Sequence, residues 1–224
     1  PTLTGCTFTN NVAPYGAGMY NESSSPTLAN CTFTDNSSNE DGGGMYNENS
    51  SSPILADCTF TDNSAGSGGG MWNGNASSPT LTDCTFTSNS ALVGGGISNF
   101  ASSPILTDCT FASNSSTIVG GGMYNLSSEP TLDNCTFTSN SGGPGGGMCN
   151  RLSIPTLTDC AFTSNSVTGF GSSGGGMYNE SSSPALIGCT FSINSATGTF
   201  SNGGGMYNLE GSEPTLDNCT FTGN

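Results

Sequence analysis

The chain has 224 residues, a net charge of −15, a single basic residue (Arg151) and no His. Nucleic acids and anionic membrane surfaces both require Lys and Arg to replace counterions, so neither is an expected partner. Membrane insertion is not expected either, since no apolar run approaches the ~20 residues of a spanning helix. Leu, Ile, Val and Phe together number 36 of 224, or 16%, below the ~20% at which composition alone suggests disorder. Order must therefore come from pattern.

That pattern is one unit written eight times, with a ninth begun. Its units open at Pro1, Pro26, Pro53, Pro79, Pro104, Pro130, Pro155, Pro184 and Pro214, so the period is near 26 residues with two longer units late in the chain. Each begins with a short run such as Pro-Thr-Leu-Thr, predicted as a first strand. A turn position follows, held by Gly5, Asn30, Asp57, Asp83, Asp108, Asn134, Asp159, Gly188 and Asn218. The second predicted strand is Cys-Thr-Phe-Thr, in which alternation puts Cys and Phe on one face and both Thr on the other. Its Cys column runs Cys6, Cys31, Cys58, Cys84, Cys109, Cys135, Cys160, Cys189 and Cys219. Three residues beyond each Phe stands an Asn, from Asn11 and Asn36 to Asn194 and Asn224. After a stretch of variable length comes a glycine run, and then the third predicted strand, Gly-Met-Tyr-Asn. A Ser-rich stretch leads back to the next Pro. Three consecutive glycines, at about 1 kcal/mol each relative to Ala, disfavour a helix.

Three strands and three bends per unit make one coil. Coils stacked about 4.8 Å apart make a parallel β-solenoid, roughly 40 Å tall for eight coils, with Met, Leu or Ile, Cys and Phe inside. The expected fold is thus an all-β parallel β-helix of about eight coils, one undivided segment over residues 1–224. With no polar, atypical unit at either end, it is expected to continue in a longer repetitive chain or to stack end to end on a copy of itself.

The Phe-x-x-Asn and Gly-Gly-Gly-Met signatures, such as Phe33 to Asn36 with Gly42 to Met45, and Phe86 to Asn89 with Gly94 to Ile97, resemble the FxxN and GGA(I/L/V) repeats of chlamydial polymorphic outer membrane proteins. This chain differs in having Gly rather than Ala before the apolar residue, and mostly Met rather than Ile. The resemblance implies a right-handed helix, an adhesive role, and a place outside the cell or on its surface. The wider class of right-handed β-helices also includes pectin-degrading enzymes.

The side-chain columns carry the remaining expectations. Both Asn columns read as structural ladders. The nine repeat cysteines read as unlinked thiols, because parallel rungs hold their Cβ atoms near 4.8 Å, beyond the usual disulfide range of about 3.5–4.5 Å. Cys149, alone outside that column, replaces an aromatic residue after Met; alternation turns it outward, and it is expected to be the most reactive thiol. Asp57, Asp83 and Asp108 suit a bend, or would form a weak Ca²⁺ site. The aromatic column that includes Tyr46, Trp72, Tyr178 and Tyr207 would stack on itself or on sugars. Asn-x-Ser/Thr acceptors include Asn21, Asn36, Asn49, Asn75, Asn114, Asn125 and Asn179. Phe170 and Phe200 lie in the two expanded segments and would project from one edge as a contact strip, together with Leu92, Val93, Ile118 and Val119. Outward Thr-x-Thr pairs form an array that resembles the ice-binding face of some β-helical antifreeze proteins.

Pectate lyase-like chemistry would need a basic proton abstractor, and Arg151 is the sole candidate. The chain is therefore expected to be a non-catalytic, extracellular structural or adhesive stalk without cofactor or metal, its partner being itself or a cell-surface glycan. Ice binding and polysaccharide binding or degradation are the alternatives.

Overall fold

The computed structural model describes residues 1–224 and contains 34 short strands and no helix. In the first coil the strands are β1 (Thr2–Thr4), β2 (Thr7–Thr9), β3 (Val12–Ala13) and β4 (Met19–Glu22). Each pairs in parallel with its counterpart one coil on, and this generates two nine-stranded and two eight-stranded sheets. We call them sheets 1 to 4 after those four strands. The register is strict. Phe60 lies between Phe33 and Phe86, Leu81 between Leu55 and Leu106, and Asn73 between Asn47 and Asn99.

The coil is four-sided, not three-sided as the period-two runs suggest. The additional side, sheet 3, mixes Ser with scattered apolar residues and varies from two residues at Ser37–Ser38 to five at Ser115–Val119. It lacks hydrophobic alternation because its pairing is inherited from the preceding Asn. The Ser64 amide donates to the Asn36 carbonyl, and Ser90 to Asn63, each at 2.9 Å.

Four bends close each coil, and each contains a residue in the left-handed region. In the third coil these are Asp57 (φ 52°), Asp62 (φ 54°), Gly68 (φ 64°) and, at the fourth corner, Asn75 and Ala76 (φ 53° and 63°). Asn, Asp and Gly tolerate this conformation best, which explains the composition of the first corner.

Inside, 27 buried residues form one continuous core of Leu, Cys, Phe and Met or Ile columns. The Phe rings stack from Phe8 to Phe221 with centroids 4.6–5.0 Å apart and planes within 6° of parallel. This stack accounts for the last glycine of each run. A Cβ on Gly44 would come within 2.5 Å of the Gly70 carbonyl oxygen and 2.7 Å of Phe60 Cδ1, so Ala has no room at this point of the coil.

Two amide ladders run beside the core. In the first, Asn89 Nδ2 donates to Asn114 Oδ1 and to the Phe60 carbonyl at 2.9 Å each, while its Oδ1 accepts from the Asn63 backbone amide (3.1 Å) and Asn63 Nδ2 (2.9 Å). All four hydrogen-bonding positions of a fully buried amide are thus filled. The second ladder, Asn21 through Asn208, repeats one Nδ2-to-Oδ1 bond per coil at 2.8–2.9 Å.

One corner residue conflicts with its backbone. Ile193, β-branched and exposed, has φ 57° where other coils place Asn, Asp, Ser or Gly. A left-handed conformation costs such a residue about 1–2 kcal/mol. Ile193→Asn is therefore expected to raise unfolding stability by about 1 kcal/mol in denaturant titration, with an unchanged circular dichroism spectrum.

Candidate functional surfaces

With every coil alike inside, any site has to lie on the outer columns. Sheet 4 carries the aromatic one. Tyr20 stacks on Tyr46 at 5.1 Å, Tyr46 on Trp72 at 4.4 Å, and Tyr178 on Tyr207 at 5.7 Å. Neighbouring rings thus occupy the faces a sugar would use, and Tyr46 and Tyr178 are buried. Tyr20 donates its hydroxyl to Glu48, and that bond to a carboxylate raises its pKa to about 12. Tyr178 is also pushed up to about 12, chiefly by burial and then by the nearby Glu180 carboxylate.

Cys149 corrects an expectation. It does belong to the outward column, but it is fully buried. Its short side chain sits one rung from Tyr124 and one from Tyr178, and together with Val119 these make a small satellite cluster. Burial lifts its thiol to about 12, so it is protonated and shielded rather than the most reactive. Beside it, Arg151 Nε pairs with Glu180 Oε2 at 2.7 Å.

The nine repeat cysteines are all unlinked. Their thiols donate to the carbonyl two residues back, as from Cys58 to Ala56, Cys84 to Thr82 and Cys109 to Thr107, each at 3.3 Å. Only Cys6 and Cys219, in the end coils, are partly exposed.

The glycosylation candidates divide by position. Asn36 and Asn114 belong to the first ladder, and Asn21, Asn125 and Asn179 to the second; all five are buried with their amides engaged. A glycan on any of them would displace ladder bonds, which removes them as acceptors in the folded chain. Asn49 and Asn75 are exposed at the fourth corner. The sequence signal that separates the two groups is the column: ladder positions recur in every coil, whereas Asn49 and Asn75 belong to neither ladder.

Asp57, Asp83 and Asp108 stand exposed in one column at the first corner, with φ of 52–54°. Their placement meets the conformational demand of the bend. Asn134 continues the column and donates from Nδ2 to Asp108 Oδ1 at 2.6 Å.

Sheet 2 presents its Thr columns outward, with Phe between them pointing in. Thr59 and Thr32 hydroxyls are linked at 3.3 Å, as are those of Thr136 and Thr110. The columns are interrupted at Ala112, Ala161 and Ser192. At the third corner, between sheets 3 and 4, Phe170 and Phe200 project with 79% and 75% exposure and meet edge to face at 5.3 Å. Leu92 and Ile118 are exposed along the same edge, while Val119 folds back under Tyr124.

The chain matches the family model described as "Right handed beta helix region" twice, over residues 1–129 and 105–224. These matches span its whole length, and the chain belongs to that family. A search of curated proteins finds no match.

The thiol assignments predict the order of alkylation. In the native protein, iodoacetamide followed by peptide mass spectrometry should modify Cys6 and Cys219 first and leave Cys149 unmodified until the chain unfolds. Early labelling of Cys149 would contradict its placement.

Proposed function

We propose that the chain is an extracellular, non-catalytic β-helical stalk that adheres to an extended glycan or cell-surface partner. The observation that carries this reading is the outer face of sheet 2, where Thr hydroxyls repeat in register over nine strands. A periodic hydroxyl surface suits a partner that is itself extended and repetitive, whereas catalysis needs a singular constellation of groups. The resemblance of the repeat to chlamydial adhesins supports the same role. Against a lyase reading, the one basic side chain is committed to Glu180. The shielding of the thiols suits an oxidising exterior, and Asn49 and Asn75 supply accessible acceptors there.

Ice binding is the second reading, favoured by the absence of charge from the same Thr columns. One set of variants separates the two. Thr85→Lys combined with Thr110→Lys is expected to abolish binding to glycan arrays or intact cells without changing thermal stability. Thermal hysteresis in the parent chain, lost in that variant, would replace adhesion with ice binding. A parent chain with neither property would be a scaffold only.

A further inference from the structure

The charged residues are not evenly spread around the coil. From coil 4 (residues 79–103) to coil 8 (residues 184–213) they are Asp83, Asp108, Glu129, Asp133, Arg151, Asp159, Glu180, Glu210 and Glu213. All of them lie on the first corner, on sheet 1, at the end of sheet 4 or at the fourth corner. Sheets 2 and 3 and the third corner are free of charge over these five coils. In a chain of net charge −15, this is the side on which a copy of the same chain can approach without setting carboxylates against carboxylates.

The exposed apolar residues along the edge formed by sheet 3 and the third corner are also spaced symmetrically. Leu92 is in coil 4, Ile118 in coil 5, Phe170 in coil 7 and Phe200 in coil 8, with exposures of 52%, 54%, 79% and 75%. Between the two pairs, coil 6 has only the low Gly142-Gly143-Pro144 loop, which is half-buried. The Phe loops are held ready: Gly171 donates to the Thr199 carbonyl at 2.8 Å, and Thr197 to Val167 at 3.0 Å. Little ordering is therefore left to be done on association.

We propose that this edge of coils 4 to 8 is a self-docking surface, on which a second copy packs antiparallel about a two-fold axis through coil 6. This arrangement sets coil 4 against coil 8 and coil 5 against coil 7. Leu92 then faces Phe200 of the second copy, and Ile118 faces Phe170, with the Gly-Gly-Pro loops meeting at the axis. Such a contact is isologous, so every apolar pair occurs twice. A basic partner is a poorer occupant because this strip has no carboxylate to meet its cations. The strip is four coil steps long, about 19 Å, shorter than a standard interface, so the association is expected to be weak and reversible.

Sedimentation velocity of the full chain over a concentration series tests this, with thermal melts confirming that each variant folds. The parent should show a reversible monomer–dimer equilibrium that high salt does not weaken. Leu92→Asp with Ile118→Asp should abolish the dimer, and so should Phe170→Asp with Phe200→Asp, because either pair supplies half of every contact. Pro144→Cys should form an intermolecular disulfide under mild copper-phenanthroline oxidation. A parent that stays monomeric into the high micromolar range would overturn the proposal. So would a dimer that is lost with one pair of variants and not the other, since a two-fold contact depends on both.

Discussion

The structure depends on the buried Asn amide that each coil hands to the next. Backbone groups of neighbouring coils pair through the corners as well as along the strands, as from the Asp62 amide to the Thr87 carbonyl and from the Ser64 amide to the Asn36 carbonyl. At the bend after sheet 2 the amide between them, that of Asn63, falls outside this pairing, and the Asn89 side chain accepts it. It satisfies a backbone amide and a carbonyl of the preceding coil, and it continues the amide-to-amide line in both directions. Without it, polar backbone groups would be buried unpaired at a cost of about 1–3 kcal/mol each. The Phe stack sits directly beside this ladder. Both need every coil to keep the same register, and the bare glycine before each Met lets the next coil's Phe ring lie close enough to do so.

Most of the fold was legible from spacing alone. Phe, Cys, Leu and Met recur at fixed offsets from Pro, so alternation placed them inward and the repeat placed them in columns. Sheet 3 was not legible, because Ser64–Ser67 or Ser141–Gly142 has neither apolar alternation nor constant length. Its strand state comes from the Asn carbonyl one coil away, a contact between residues about 26 apart. The fourth corner was hidden for a similar reason. Ser23, Ala101, Ser127 and Leu152 share its left-handed backbone and no side-chain chemistry.

The surface was legible in part. Alternation correctly turned Cys149 away from the axis, yet exposure depends on the neighbours, and Tyr124 and Tyr178 close over a side chain much shorter than their own. The same shading buries Tyr46 and leaves Tyr20, in the first coil, exposed at 45%. Five Asn-x-Ser/Thr motifs read as acceptors in one dimension and as ladder rungs in three. In contrast, Phe170 and Phe200 were placed correctly by their position in the expanded segments, since added residues in a closed coil have nowhere to go but outward.

If the ladder is the constraint on which the rest depends, its loss in a single coil should be felt by the whole stack. Denaturant unfolding of Asn89→Ala against Thr87→Ala tests this most directly, since the two positions are two residues apart in one coil, one buried in the ladder and the other facing outward. Several kcal/mol should be lost from Asn89→Ala, roughly 3–5 by the count of buried groups left unpaired, and less than about 0.5 from Thr87→Ala. Equal, small losses for both variants would contradict the account and return the stability to the stacked Phe column alone.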